Sequence, residues 1–345
     1  MSNRNIIVIG ASAGGFQAIK RLVASLPADL NAAIFIVWHM APNIQGLLPL
    51  NLNKLGTLPA SNAIDMEPVE TRRIYVARPD FHLMLEKGVV RVTRGPKENR
   101  FRPAVDPLFR SAAFAYREKV IGVVLSGALD DGAAGLWTIK QYGGLAVVQD
   151  PADAEVSSMP ESALRAVKAD YVVPIKEMGK LLTELVKEQV TVNGTAIQDK
   201  TTELEINIAL DEESLKHNIM EYGNLTPYTC PECHGVLTVL NEDGRLRFRC
   251  HTGHAFSASS LLAAISERIE ESLWSAVRNV QESAMLLNHM GDHFAELNQP
   301  RLAATFFQKA KDAEQRAEIV RRTVEDHEQL SIDSIEQQSN NEHPS

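Results

Sequence analysis

The sequence predicts an α/β protein: a doubly wound, mainly parallel sheet, followed by a small zinc-ribbon-like module and a long helical hairpin. Three observations carry that reading. Short β-branched runs alternate with helical patterns through the first half. Cys230, Cys233 and Cys250 cluster with histidines. From Ser259 onward, apolar residues recur at steps of three and four.

Strands are expected at 6–9, 33–38, 73–77, 89–93, 120–126, 145–149 and 171–174. Several are apolar throughout, as strands covered on both faces should be. Between them, Asp106 followed by Pro107 reads as an N-cap with proline at the first helical position, opening a helix over 108–116. A last helix over 176–188 closes a domain placed at 1–188. Polar and acidic residues with Asn193-Gly194 mark 189–226 as a linker or an extended covering segment, and the ribbon-like module occupies 227–258. Beyond it Leu262, Ile265, Ile269, Leu273, Val277, Val280, Ala284 and Leu287 line one face of a long helix, roughly 60 Å at 1.5 Å per residue. Pro300 turns the chain into a second helix, so 259–330 reads as a hairpin compatible with a homodimer; Trp274, Phe306 and Phe307 are core or contact residues. The tail 331–345 has little to bury and reads as disordered.

A formal net charge of -9, with no basic stretch interleaved with aromatics, argues against nucleic acid as partner. The apolar run 6–9 is too short for a signal segment or a membrane span, so the cytoplasm is the expected compartment and no membrane insertion is expected.

Gly10-Ala11-Ser12-Ala13-Gly14-Gly15 places a serine in a strand-to-helix turn without bulky neighbours. Such a turn exposes the hydroxyl, and the following helix N-terminus offers amides to an oxyanion. The competing readings are a tightly packed structural serine or a phosphate cradle; a dinucleotide fingerprint would want glycine where Ser12 stands and an acidic residue near Val37. The second strand ends instead in His39, at the carboxyl edge where ligands bind. A third loop at the same edge, 127–135, carries Asp130 and Asp131. Serine needs a base, and the base needs a carboxylate to hold its tautomer, so all three types arrive on adjacent edges. Either aspartate could equally cap the following helix.

Taken jointly, Ile9-Gly10-Ala11-Ser12, Gly14-Gly15, His39-Met40, Tyr75-Val76-Ala77, Arg102-Pro103, Val105-Asp106, Leu108-Phe109, Ser111-Ala112-Ala113, Leu125-Ser126-Gly127, Asp131-Gly132-Ala133 and Met159-Pro160 resemble the protein-glutamate methylesterases of bacterial chemotaxis, CheB. The resemblance runs from Ile6 to about Leu185. It implies Ser12 as nucleophile, His39 as base and Asp131, which immediately precedes Gly132, as the third member. It also implies hydrolysis of γ-glutamyl methyl esters, with glutamine deamidation as a second activity, on a methylated partner such as a chemoreceptor or another signalling protein. The chain order Ser, His, Asp differs from the Ser, Asp, His of α/β-hydrolases, so the same chemistry is expected on a different doubly wound sheet. Ala13 and Ala128 stand where family members often carry threonine and methionine, and the resemblance begins almost at Met1, so a form without a receiver domain is expected. His82 lies in a family-like stretch and reads as structural.

Cys230-Pro231-Glu232-Cys233 is a knuckle of two thiols, and Cys250-His251-Thr252-Gly253-His254 adds a third thiol and imidazoles about one hairpin later. That set suits tetrahedral Zn²⁺ better than a redox pair, which would leave Cys250 and His254 unexplained. Cys230, Cys233, Cys250 and His254 are the expected ligands, His251 being next to Cys250 and expected to point away. Four protein ligands make the zinc structural. The run from Cys250 to Ser257 also resembles an appendage of some standalone methylesterase-like proteins. A different class of function, a catalytically weak module that docks partners through the esterase fold and the zinc-helical part, is the alternative that Ala13 and Ala128 motivate.

Overall fold

A computed structural model describes residues 2–39, 47–56, 58–190, 200–210, 223–242, 245–328 and a few positions beyond. In chain order the elements are β1 (Ser2–Asn3), β2 (Ile6–Ala11), α1 (Gly15–Ala24), β3 (Ala33–Trp38), α2 (Leu47–Asn53), β4 (Ala60–Asn62), β5 (Arg73–Val76), β6 (His82–Glu86) and β7 (Val89–Thr93). They continue with α3 (Val105–Tyr116), β8 (Val120–Val124), α4 (Ala133–Gln141), β9 (Leu145–Gln149), α5 (Ser158–Ala166), β10 (Tyr171–Val173), α6 (Ile175–Leu185) and β11 (Gln189–Val190). Then come α7 (Lys200–Leu210), β12 (Asn224–Thr229), β13 (Val236–Glu242), β14 (Arg245–Cys250), β15 (Ala255–Ser257), α8 (Ala258–Glu296) and α9 (Pro300–Glu325).

Seven strands form the main sheet in the order β10-β9-β8-β2-β3-β5-β4, and every pairing in it is parallel. The chain builds outward from β2 to one side, then returns to its other edge with β8. That reversal is the switch point where the loops after β2, β3 and β8 open a crevice at the carboxyl edge. Strand β2 is apolar because both faces are covered: Ile7 and Ile9 pack with Ile19 and Leu22 of α1 and Leu182 of α6, while Ile6 and Val8 pack with Leu108 and Phe109 of α3 and Leu136 of α4. Each such side chain, fully withdrawn from water, contributes about 2 kcal/mol.

Four details differ from the sequence reading. The run at 89–93 is not part of the parallel sheet; it pairs antiparallel with β6, His82 opposite Thr93. The reason is the two-residue connection Lys87-Gly88, in which Gly88 takes φ 88, a hairpin turn. β4 escapes sequence reading because three residues, two of them polar, show no period. Helix α3 has extended Ala104 at its N-cap, two residues before the expected Asp106, so Asp106 lies inside the first turn. Finally, the stretch expected as a linker contains β11 and α7, whose Ile206 and Ala209 are buried with Met84; residues 191–199 and 211–222 lie outside the description.

The chain divides into two compact units, 1–260 and 261–345. The first contains the α/β part, α7 and a four-stranded antiparallel sheet, β12-β13-β14-β15. The second is the helical hairpin. On α9, Ala303, Ala310, Ala317 and Val324 are buried at seven-residue intervals, the seam of a coiled pair. Phe294 stacks on Phe306 at 5.2 Å near the turn, whereas Trp274 and Phe307 are exposed. Most of the tail lies outside the described residues. Among the described residues, no helix is long and apolar enough to cross a membrane.

Candidate active site

Ser12 follows β2 directly. Its backbone is pinned on three sides: the Ser12 N–H donates to Ser126 O at 3.0 Å, its carbonyl accepts Gly15 N–H at 3.0 Å and Trp38 Nε1 at 3.0 Å. Gly14 caps α1 in the left-handed region, φ 72, and a Cβ there would sit 2.6 Å from Ser126 Oγ. Local strand-to-helix geometry and close packing therefore both demand the glycine. His39 follows β3, its N–H donating to Ala11 O at 3.0 Å, which holds it beside the serine turn.

The imidazole Nε2 of His39 lies 2.8 Å from Asp131 Oδ2, and both side chains are buried. A carboxylate only accepts, so the hydrogen sits on Nε2, and in the neutral imidazole the lone pair is then on Nδ1. Nδ1 is buried without a hydrogen-bond partner among the described residues. Ser12 and His39 line one cavity of about 540 Å³, together with Trp38, Phe101 and three basic residues, Lys97, Arg100 and Arg102. Phe101 lies flat on the imidazole, ring centroids 3.8 Å apart and planes 11° apart.

Asp131 is held from every side. Oδ2 also accepts Val105 N–H at 2.6 Å, and Oδ1 accepts Asn99 Nδ2 at 2.9 Å and Asp106 N–H at 3.3 Å. Burial pushes this carboxyl up, but the His39 hydrogen bond and charge, then Val105 and Asn99, outweigh it, and the net direction is below the ordinary range. Asp106 caps α4 from a distance, its Oδ1 accepting Gly132 N–H at 3.1 Å and Gly135 N–H at 2.6 Å. Burial first and the Asp131 charge second push Asp106 up to about 7. The capping reading considered for the 127–135 loop is thus satisfied from α3, and Asp130 instead accepts Ser257 Oγ at 2.8 Å. His82 is fully buried and its pKa is lowered by that burial. It bridges Pro96 O at 2.9 Å and Ala104 N at 3.3 Å, bracketing the segment that carries Asn99 and Phe101.

Cys230, Cys233, Cys250 and His254 offer ligand atoms all within 4.8 Å of one another. Cys230 Sγ to His254 Nδ1 is 3.7 Å, Cys233 Sγ to Cys250 Sγ 3.6 Å and Cys250 Sγ to His254 Nδ1 3.6 Å. With Zn–S near 2.3 Å and Zn–N near 2.0 Å, the edges of a regular tetrahedron come to about 3.5 to 3.8 Å. The donor set and these three spacings therefore match a tetrahedral zinc site. Thr252 Oγ1 lies 3.0 Å from Cys250 Sγ and 3.1 Å from Cys233 Sγ, an outer hydroxyl suited to thiolates. His251 turns its ring over Gly235.

Sequence reasoning missed Asn99, Phe101 and Trp38 as parts of the site and Glu205 as a buried anchor. Trp38 adjoins His39 at a strand end, a signal that was available. Nothing local marks the others, whose partners are far away in the chain.

An α/β domain of this winding, with a serine turn and a buried imidazole–carboxylate pair opening on one cavity, defines a protein of the hydrolase class. Residues 7–182, about half of the chain, match the family model for CheB methylesterases, and the chain belongs to that family. A relative from Leptospira interrogans, named for protein-glutamate methylesterase and protein-glutamine glutaminase, is 41% identical over 184 residues, covering 53% of this chain and 95% of its own. The protein-glutamate methylesterase/protein-glutamine glutaminase 2 of Methanosarcina mazei is 34% identical over 194 residues, covering 54% of this chain. This chain spans 53% of that relative's length. The crystal structure of the Thermotoga maritima CheB methylesterase catalytic domain matches with TM-score 0.52 and 34% identity, over 54% of this chain and all of that one. The four-stranded sheet with its cysteines, and the hairpin, lie beyond the matched span.

Proposed function

We propose that this chain hydrolyses γ-glutamyl methyl esters on a partner protein, with Ser12 as nucleophile, His39 as base and Asp131 as the group that orients the base. The observation that carries the reading is the His39–Asp131 bond of 2.8 Å, which leaves Nδ1 buried and unspent in a cavity shared with Ser12. Nδ1 takes the hydroxyl proton as Ser12 Oγ attacks the ester carbonyl. Amides at the N-terminus of α1 face the developing oxyanion. His39 returns the proton to the departing methoxide, releasing methanol and leaving an acyl-serine. Water, deprotonated by His39, then cleaves the acyl-enzyme to a free glutamate. Deamidation of glutamine follows the same course with ammonia as leaving group.

The second part of the reading is a zinc ion held by Cys230, Cys233, Cys250 and His254, supported by the donor set and by three donor spacings of 3.6 to 3.7 Å; with four protein ligands such an ion is structural.

Ser12→Ala is expected to abolish methanol release from a methylated partner and reaction with a fluorophosphonate probe, with far-UV circular dichroism unchanged. Undiminished methanol release would remove Ser12 from the mechanism.

A further inference from the structure

Between the cavity and the four-stranded sheet runs the short segment 97–101. On one side it touches both members of the imidazole–carboxylate pair: Asn99 Nδ2 donates to Asp131 Oδ1 at 2.9 Å and to Asp106 Oδ2 at 3.0 Å, and Phe101 stacks on His39. On its other side it meets the cysteine-bearing sheet and the first turn of α8, while Glu98 also pairs with Arg110 of α3 at 2.6 Å. Asn99 Oδ1 accepts Ser257 N–H at 3.0 Å and Ser260 Oγ at 3.1 Å. Asn99 N–H donates to Ala255 O at 2.8 Å, and Ala255 N–H to Lys97 O at 3.1 Å. Glu98 is buried against Arg247 and Arg249, each at 3.3 Å. Lys97 Nζ pairs with Glu232 at 2.8 Å.

These anchors sit next to the metal-ligand set. Glu232 lies between Cys230 and Cys233; Arg249 precedes Cys250 and donates to Gly253 O at 2.7 Å; Ala255 follows His254. Each ligand-bearing segment therefore has one neighbour gripping 97–101. That segment cannot hold its shape alone, because Asn99 at φ 49 and Arg100 at φ 77 are consecutive left-handed residues other than glycine. Such a pair persists only where the surroundings over-determine it. The amide of Asn99 is also fully committed, with two donors on its oxygen and two acceptors at its nitrogen, so its orientation depends on both sides at once.

We propose that the metal-bound ribbon is a positioning element of the hydrolytic site, and that Asn99 and Phe101 relay its ordered state to Asp131 and His39. This rests on the assignment of Ser12, His39 and Asp131 above. With metal bound, the Cys250–His254 turn is closed, Arg249 and Ala255 are fixed, and Asn99 presents its NH₂ to Asp131. Without metal, β15 and Arg249 lose their fixed end, the left-handed pair relaxes, and Asp131 loses a donor while His39 loses the ring that covers it. Asn99 and Phe101 are positioning residues; neither is asked to touch the reacting atoms.

The test uses the full chain, loaded with zinc or stripped by a chelator, with zinc content and far-UV circular dichroism measured alongside. Two readouts are followed: the rate of Ser12 labelling by a fluorophosphonate probe, and the ring N–H resonance of His39 in ¹⁵N-histidine protein, identified by its disappearance in His39→Gln. Stripping is expected to slow labelling at least tenfold and to broaden or shift the resonance, and added zinc should restore both. Asn99→Gly, which tolerates the left-handed backbone but lacks the amide, should reproduce the loss with zinc still bound; Ser260→Ala should give a two- to fivefold loss. Labelling within twofold of the loaded protein and an unmoved resonance after stripping would overturn the proposal. If stripping unfolds the chain, zinc-loaded Asn99→Gly decides, and unchanged rate and resonance there overturn it. Should the zinc-loaded wild type fail to label at all, the hydrolase assignment falls, whereas the resonance still reports separately whether the ribbon holds the His39–Asp131 pair.

Discussion

Asp131 has a task that its side chain performs only as a carboxylate. It accepts from His39 Nε2, Val105 N–H and Asn99 Nδ2 together, and an amide at this position must turn its NH₂ toward one of those donors. In Asp131→Asn, the imidazole is free to adopt the opposite tautomer, with hydrogen on Nδ1 where the serine proton has to be received. We expect labelling of Ser12 to slow by about three to four orders of magnitude, the range seen when an orienting carboxylate is replaced in such a triad, with the fold retained by circular dichroism. A loss of less than tenfold would mean that Asp131 serves packing and leaves the base unaided. The residue also shows how far adjacency in sequence can mislead. Asp130 and Asp131 are neighbours of the same type, yet one faces His39 and the other Ser257. The Asp131-Gly132 step resembled the family pattern and pointed to the aspartate that contacts His39; no property of the two side chains distinguishes them.

Among the elements, α7 and β14 are joined through a buried group of five charges. Arg110 of α3 pairs with Glu98 at 2.6 Å and with Glu205 at 3.1 Å, and Arg247 and Arg249 contact both carboxylates. Burial raises Glu205, but the charges of Arg110, Arg247 and Arg249 more than reverse it, taking its pKa down to about 2. Its folded value lies below the ordinary 4.5, so the stabilisation is present above that pH and is lost as pH falls through about 2. A shift of this size corresponds to about 3 kcal/mol. Glu205→Gln is therefore expected to lower stability near pH 7 by roughly 3 to 5 kcal/mol, because three guanidinium groups would then share one carboxylate. The difference from wild type should shrink as pH falls from about 4.5 toward 2, read from thermal unfolding across that range. A difference that stays constant across that range would mean the carboxylate charge is not the source. Local pattern could not have found this helix's role: 200–210 sets Glu203 and Glu205 among Leu204, Ile206, Ile208, Ala209 and Leu210, and the arginines that Glu205 meets stand far away in the chain.

For the whole molecule, the division at Ser260 sets an expectation about independence. The α/β part, α7 and the ribbon share one unit, and all contacts described for the cavity and for the cysteine group fall within it. A chain ending at Ser260 should therefore fold, carry one zinc per chain and label at Ser12 within about twofold of full length; Cys230→Ser should remove the zinc from either. Metal analysis and probe kinetics on the shortened chain check this. If it precipitates or fails to bind zinc, the hairpin is needed to complete the first unit.

By itself the sequence determined the layers: the parallel strands around β2, the glycine turn holding Ser12, the helical hairpin, and the four sulfur and nitrogen donors at ribbon spacing. These are local facts, set by apolar period, by turn chemistry and by short-range spacing, which a chain carries in any window of about a dozen residues. Only the tertiary structure decided that Asp106 caps a helix other than its own and that Asn99 joins the ribbon to Asp131. The physical reason is range. A buried hydrogen bond or ion pair is made by two groups that meet because layers pack, and Asn99 stands 32 positions from Asp131 and 158 from Ser257, separations across which composition and period hold no record of who will be opposite whom.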